Sequence, residues 1–341
     1  MERKIVAGIL VAVILVATAF ASMYYLRQIP ISQSSQMIQS SQTSLSSQVM
    51  QTSQTSLTSA TTQLITSQAA KVRVVAGENF WGSLVSQLGG VRTQVASIVT
   101  DPNADPHEYE SNSRDAQAIA DAAFVIVNGA GYDDWALKLI AASKSPNQVV
   151  LNVAGLLGKG EGDNPHFWYS PYYVNKTVKA MYTDLLAIDP GSATYYAQQY
   201  AALSASLGVY NTRISTIRAQ FAGTRVASTE SIFEYLANAT GLNLVSPPAF
   251  MKAVAEGNDP PAQSVAQFEN LIQTGKVSVL VYNAQTVTPL TENIKSMAAA
   301  KGIPIVAVTE TIQPTDVPFQ DWMNSELIFL QNALNAKALG Q

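Results

Sequence analysis

The 341-residue chain contains no cysteine. Disulfides, thiolate metal sites, cysteine nucleophiles and iron–sulfur clusters are therefore excluded, and so is a lipid-modified cysteine near the N-terminus. Charge is also scarce. Asp, Glu, Lys and Arg make up 13% of the residues, about half the usual share. With 20 Lys plus Arg against 24 Asp plus Glu, the net charge is −4, so the basic face expected of a nucleic-acid binder is missing. No P-loop and no Gly-x-Gly-x-x-Gly occurs, and no His-Glu-x-x-His helix, which removes the common signatures of phosphate cradles and zinc proteases. Histidine occurs only twice, as His107 and His166.

Between Arg27 and Lys71 there is no charged residue at all. The stretch is built from Ser, Thr and Gln with scattered Leu, Ile and Met. Such a composition buries too little apolar area to offset chain entropy and predicts a flexible stalk over residues 31–70. Before it, Ile5 to Ala21 is a nearly continuous apolar run preceded by Arg3 and Lys4. A run of this length can cross a hydrocarbon layer of about 30 Å, and its positive flank is expected to stay inside. Residues 1–30 therefore read as a membrane anchor that leaves the rest of the chain outside the cytoplasm. Ala19-Phe20-Ala21 also fits the cleavage site of a signal peptide, in which case the protein is secreted.

From Lys71 onward the pattern is that of a folded α/β protein. KVRVVAG, VRTQVASIV, AAFVIVNGAG and NQVVLNV are apolar, β-branched runs separated by segments of helical spacing, such as ENFWGSLVSQLGG, which sets Phe80, Leu84 and Leu88 on one side. Strand–helix alternation of this kind predicts a mainly parallel sheet with helices on both faces. SPYYVNKTVKAMYTDLLAID reads as a helix stopped near Pro190. It is followed by a periodic run of some thirty residues that would be about 45 Å long, more than one small lobe needs. The alternation then resumes through RVASTE, KVSVLVYN and IPIVAVTE and closes with the helix DWMNSELIFLQNALNAKAL. The expected architecture is two lobes, residues 71–192 and 222–341, joined by a long helix over 193–221. Ligands of open α/β sheets sit at the carboxyl ends of strands, so a site is expected in the cleft between the lobes.

Both histidines follow a proline, in ADPHEYE and DNPHFWYSP. Proline fixes its own φ and disfavours helix before it, so each imidazole is offered from a stiff, non-helical loop. Imidazole is the commonest metal ligand among side chains. Two acids close apolar strands: Glu230 after RVAST and Glu310 after IPIVAVT. The pattern alone also fits two unrelated surface or capping histidines and two acids at helix N-termini. Together, however, two neutral imidazoles and two carboxylates around a dication sum to zero charge, which avoids the cost of burying net charge. The donor count runs from N2O2 with monodentate acids to N2O4 with bidentate ones, so zinc and manganese both remain open. Coordination needs neutral imidazoles, so binding is expected to weaken below about pH 6.5. Glu110 and Asn79 are the expected orienting neighbours, and Trp81, Trp135, Phe167 and Trp168 are expected to pack the walls.

The same segments carry a family resemblance, from about Val72 to the C-terminus. AGENFWG, DPHEYE, NGAGYDDW, NPHFW, the long helix and VLVYNAQT resemble the solute-binding proteins that serve zinc and manganese ABC importers. The resemblance implies that His107 and His166 are the first two ligands of the family's metal site. The third ligand in many zinc members is a His followed by Phe and Tyr three and five residues on. Here Phe233 and Tyr235 keep that spacing and Glu230 holds the ligand position, as in manganese-associated members. Glu310 stands where the fourth ligand, usually Asp, is found. The His-rich loop common among zinc carriers is absent. The resemblance further implies a rigid inter-lobe helix, small lobe movements on binding, a monomer, one Zn2+ or Mn2+ as cargo, a permease and an ATPase as partners, and no enzymatic activity. A metal-dependent hydrolase and a metal-stabilised surface adhesin are the alternatives. Asn175 and Asn238 head N-glycosylation sequons.

Overall fold

The strands are short, and the central ones, Val72–Glu78, Phe124–Val127, Arg225–Ser228 and Val279–Asn283, are largely buried on both faces, as parallel strands between helical layers must be. The computed structural model describes residues 70–103, 105–143 and 145–339. The expected anchor over 1–30, and all of the expected stalk except its last residue, lie outside the described residues. Among the described residues no helix is long and apolar enough to cross a membrane.

Two four-stranded parallel sheets form two lobes. The first contains β1 (Val72–Glu78), β2 (Thr93–Val99), β3 (Phe124–Val127) and β4 (Val149–Asn152) in the order β2-β1-β3-β4. The second contains β5 (Arg225–Ser228), β6 (Asn243–Leu244), β7 (Val279–Asn283) and β8 (Ile305–Val308) in the order β6-β5-β7-β8. The two orders are the same, so each sheet reverses its winding between its first and third strands. Such a switch point is where the loops beyond the strand ends part and a ligand can enter. Glu230 lies two residues beyond β5, Asn283 ends β7, and Glu310 lies two residues beyond β8.

In the first lobe the helices are α1 (Asn79–Gly89), α2 (Ser113–Asp121), α3 (Asp134–Ser143), α4 (Val153–Leu157) and α5 (Pro171–Ile188). The long helix α6 (Ala193–Phe221) follows, and the second lobe adds α7 (Glu234–Thr240), α8 (Pro248–Ala255), α9 (Ala262–Gln273), α10 (Pro289–Ala300) and α11 (Phe319–Ala338). Phe80, Leu84 and Leu88 of α1 are all fully buried, as their spacing predicts. The helix α8 and the two-residue β6 have no counterpart in the sequence reading. Pro248 occupies the first turn of α8, where its missing N–H costs nothing.

With 29 residues, α6 is about 44 Å long. Its buried residues Tyr196, Leu203, Leu207, Tyr210, Ile214 and Ile217 recur at three, four and seven positions, which is one helical stripe. That stripe packs on both lobes. Tyr200 stacks on Tyr182 of α5, with ring centroids 4.6 Å apart, while Tyr210 meets Phe319 of α11 edge-on at 6.3 Å. Arg213 donates to Asn324 and Gln331 of α11. One apolar cluster runs without interruption from Val74 and Phe80 through Trp168 and Tyr210 to Phe233, Val281 and Trp322. Because the lobes share this core, a wide hinge opening would expose it, and burial of apolar area opposes that.

Candidate metal centre

Both histidine loops are built the same way. In Asp105-Pro106-His107, the Asp105 Oδ1 accepts from the His107 backbone N–H at 2.9 Å. In Asn164-Pro165-His166, the Asn164 Oδ1 accepts from the His166 N–H at 3.1 Å. An Asx side chain that bonds the backbone two residues on closes a tight turn, and the intervening proline stiffens it. His107 sits inside a single 3-10 turn, Pro106–Glu108, and His166 precedes another, Phe167–Tyr169. His107 thus lies within a short helical turn rather than a non-helical loop, whereas His166 is offered from a non-helical residue, as expected.

The four residues His107, His166, Glu230 and Glu310 meet. Each offers one donor atom, and these atoms lie within 4.8 Å of one another. The Nε2 of His166 is 3.2 Å from Glu230 Oε1 and 3.3 Å from Glu310 Oε1, and the Nε2 of His107 is 3.6 Å from Glu310 Oε1. His166, Glu230 and Glu310 are fully buried, and the His107 side chain is 19% exposed. Glu230 Oε1 and His107 Nε2, both aimed at the common centre, have no hydrogen-bond partner among the described residues outside the cluster itself. Buried polar atoms are nearly always paired, so an unpaired acid oxygen and an unpaired imidazole nitrogen converging on one point fit a cation between them.

Asn164 fixes the His166 ring. Its Nδ2 donates to the Ser231 carbonyl and to Glu234 Oε2, both at 2.8 Å. Its Oδ1 therefore faces His166, where it takes the backbone N–H and also meets Nδ1 at 2.7 Å. The amide oxygen can only accept, so Nδ1 carries a proton and Nε2 is left to face the acids. This is the arrangement that directs an imidazole's lone pair to a metal. On the acid side, the Nδ2 of Asn283 donates to Glu230 Oε2 at 2.6 Å and to Glu310 Oε1 at 2.7 Å, and the Tyr132 hydroxyl donates to Glu310 Oε2 at 2.9 Å.

The electrostatics follow from this crowding. Burial opposes charging His166, but the carboxylate of Glu310 and the hydrogen bonds to Glu230 and Glu310 outweigh it and push the imidazole up to about 10. His107 is also raised: burial works against it, and the bond to Glu310 prevails. Burial would raise Glu310, yet the charge of His166 and the bonds from both histidines hold it well below the usual carboxylate range. Without an ion the cluster therefore stores protons on its imidazoles.

The expected orienting residues are not the ones found. Glu110 is exposed, and Asn79 Oδ1 instead accepts from Ile312 N at 3.0 Å, tying α1 to the second lobe. Asn164, Asn283, Tyr132 and Asp105 take those positions. Asn283 closes an apolar strand as Glu230 and Glu310 do, so the strand-end rule that points to the acids points to it as well. Trp81, Phe167 and Trp168 are fully buried, and Trp168 stacks on Phe80 at 4.0 Å and meets His166 at 5.3 Å. Trp135 is only partly buried and packs on Tyr109.

Residues 74–333 match the family described as zinc-uptake complex component A, periplasmic, or ZnuA. The chain belongs to this family. Among its relatives, the manganese-binding lipoprotein MntA of Halalkalibacterium halodurans is 30% identical over 128 residues, a match that spans 37% of this chain and 42% of the lipoprotein. The high-affinity zinc uptake system protein ZnuA of Bacillus subtilis is 22% identical over 243 residues, 65% of this chain and 72% of that protein. The structure of the solute-binding protein FpvC of Pseudomonas aeruginosa in complex with Mn2+ superimposes with a TM-score of 0.64 at 21% identity, over 78% of this chain and 99% of that one. The shared fold is that of two parallel α/β lobes on a long helix.

Proposed function

We propose that this chain captures one divalent transition-metal ion, Zn2+ or Mn2+, outside the cytoplasm and delivers it to the permease and ATPase of an ABC importer. His107, His166, Glu230 and Glu310 are the ligands. The observation that carries this reading is the convergence of four donor atoms from four separate loops within 4.8 Å, two of them without a hydrogen-bond partner among the described residues outside the cluster. The relatives' manganese and zinc names support the cargo class. Four protein donors complete a tetrahedron and leave no open position for an activated water, which supports a carrier over a hydrolase. The apolar segment over 5–21 serves as a membrane tether or is removed as a signal peptide, and the protein acts as a monomer.

Two outcomes test this reading. A ligand that binds only the folded state stabilises it by about 2.7 kcal/mol at a hundred times its Kd, which for a chain of this size raises Tm by about 5–10 °C. Saturating Zn2+ is expected to produce that rise in a thermal melt and a chelator to reverse it. A Tm that does not respond to Zn2+, Mn2+ or chelator contradicts the proposal. Second, Asn164→Ala removes the acceptor that holds the His166 tautomer and is expected to weaken metal roughly 10–100-fold. Asn164→Asp keeps an acceptor in place and is expected to lose less. Competition against a chromophoric chelator reads both variants, and equal losses in the two would count against the tautomer role.

A further inference from the structure

Each carboxylate of the cluster turns one oxygen toward the imidazoles and has the other held by a protein donor. Glu230 Oε1 faces His166, whereas its Oε2 accepts from Asn283. Glu310 Oε1 faces both imidazoles and also accepts from Asn283 at 2.7 Å, whereas its Oε2 accepts from the Tyr132 hydroxyl. The two donors are themselves held. Asn283 is 1% exposed, and its Oδ1 accepts from Gln285 N at 3.0 Å, which turns Nδ2 toward Glu230 Oε2, Glu310 Oε1 and the Thr286 hydroxyl. Tyr132 is 4% exposed and packs edge-on against His107, with ring centroids 4.7 Å apart.

A bidentate acid must present both oxygens to one ion. For Glu310 that rotation would break the bond on Oε2 and strand the buried Tyr132 hydroxyl, a costly outcome in a dry site; for Glu230 it would break the 2.6 Å bond from Asn283. The four inner atoms lie within 4.8 Å of one another. A tetrahedral ion with bonds of about 2.05 Å sets neighbouring donors about 3.3 Å apart; the closest contacts between them here are 3.2, 3.3 and 3.6 Å. Manganese is best served by six oxygen-rich donors, and zinc by four of mixed N and O character.

We propose that Asn283 and Tyr132 are positioning residues that keep Glu230 and Glu310 monodentate, and that the resulting four-donor site selects Zn2+ over Mn2+. The inference rests on the reading of the cluster as a metal centre. Any N/O site has some intrinsic preference for zinc, so the informative quantity is how the Zn2+-to-Mn2+ affinity ratio changes when the tethers are removed.

The test uses the full chain and its variants Asn283→Ala, Tyr132→Phe and the pair together, titrated with each metal alone against a chelator. X-ray absorption on the zinc-loaded wild type is expected to give four light-atom neighbours, two of them imidazole. Losing both tethers is expected to lower the affinity ratio about tenfold or more, chiefly by sparing or improving Mn2+ binding, and to raise the neighbour count. Tyr132→Phe deletes a single oxygen and keeps the test usable if Asn283→Ala does not fold. Five or six neighbours in the wild type, or equal loss of both metals in every variant, overturns the proposal while leaving metal capture intact. A wild type that takes up neither ion overturns the metal reading itself, and the selectivity proposal with it.

Discussion

Glu310→Ala is expected to weaken metal binding by about two to three and a half orders of magnitude. Among the four proposed ligands, Glu310 is the one whose inner oxygen faces both imidazoles, at 3.3 and 3.6 Å. With it gone, a dication held by two neutral imidazoles and one carboxylate keeps a net positive charge in a site where three of the four ligands are fully buried. Leaving a buried charge uncompensated costs about 3–5 kcal/mol, and each 1.4 kcal/mol is roughly tenfold in Kd. Glu230→Ala removes the same charge, but its inner oxygen meets one imidazole, that of His166 at 3.2 Å, so its loss is expected to be the smaller of the two. Glu310→Gln keeps the shape and the bond from Tyr132 while removing the charge, and should fall near Glu310→Ala if charge is what matters. Isothermal titration of the three variants measures the order. A change of less than about threefold in Glu310→Ala would remove this residue from the ligand set.

The four proposed ligands are legible in the sequence for local reasons. Asx-Pro-His is a turn that writes its own hydrogen bond, and an acid closing an apolar strand stands where open α/β sheets bind ligands. The residues that aim those ligands are not legible in the same way. Tyr132 and Glu310 are 178 positions apart, and Asn164 and Ser231 are 67 apart. Nothing in NGAGYDDW or DNPHFWYSP states which side chain of the other lobe each will meet. Asn283 is the exception, since the end of VLVYN is as visible as the end of IPIVAV. A neutral amide there carries no charge to attract attention until two carboxylates are seen to share it. The long helix could be read from its unbroken periodic run, and the parallel sheets from the continuous apolar runs of their central strands. The two-residue β6 and the proline-led α8 leave no such run.

The shared core and the polar ties across the cleft limit how an ion can come and go. Tyr169 donates to the Thr309 carbonyl, Ile312 N donates to Asn79, and Thr286 donates to Asp105, each from one lobe to the other. Together with the continuous apolar cluster they favour local movement over domain opening. His107 is the least buried of the four ligands and sits on a single turn at the cleft mouth, which also includes Ala130, Gly131, Met251 and Lys252 and encloses about 460 Å³. Displacing that turn costs less packing than displacing His166, whose ring is sealed beneath Trp168 and fastened by Asn164.

Apparent metal affinity is expected to fall about tenfold for each pH unit on going from about pH 8 to about pH 6, and more steeply once His107 also takes up its proton. The sign follows from the direction of the shifts. In the metal-free protein the acids raise His166 to about 10, so below that value its imidazole carries a proton that the ion must displace. Glu310 is held well below the ordinary carboxylate range and keeps its charge throughout. The window thus lies higher than the value of about 6.5 for a free imidazole suggests. At neutral pH each ion bound should release at least one proton, countable by calorimetry in buffers of different ionisation heat. The metal-free fold carries the opposite dependence: the stability contributed by the raised His166 is full below about 6.5 and is lost as pH rises through about 10. An affinity that stays flat between about pH 7.5 and about pH 5 would mean that the imidazoles are not ligands. The proton that leaves is the one on Nε2, because Asn164 Oδ1 keeps the one on Nδ1 in both states, and the atom that loses it already points at both acids.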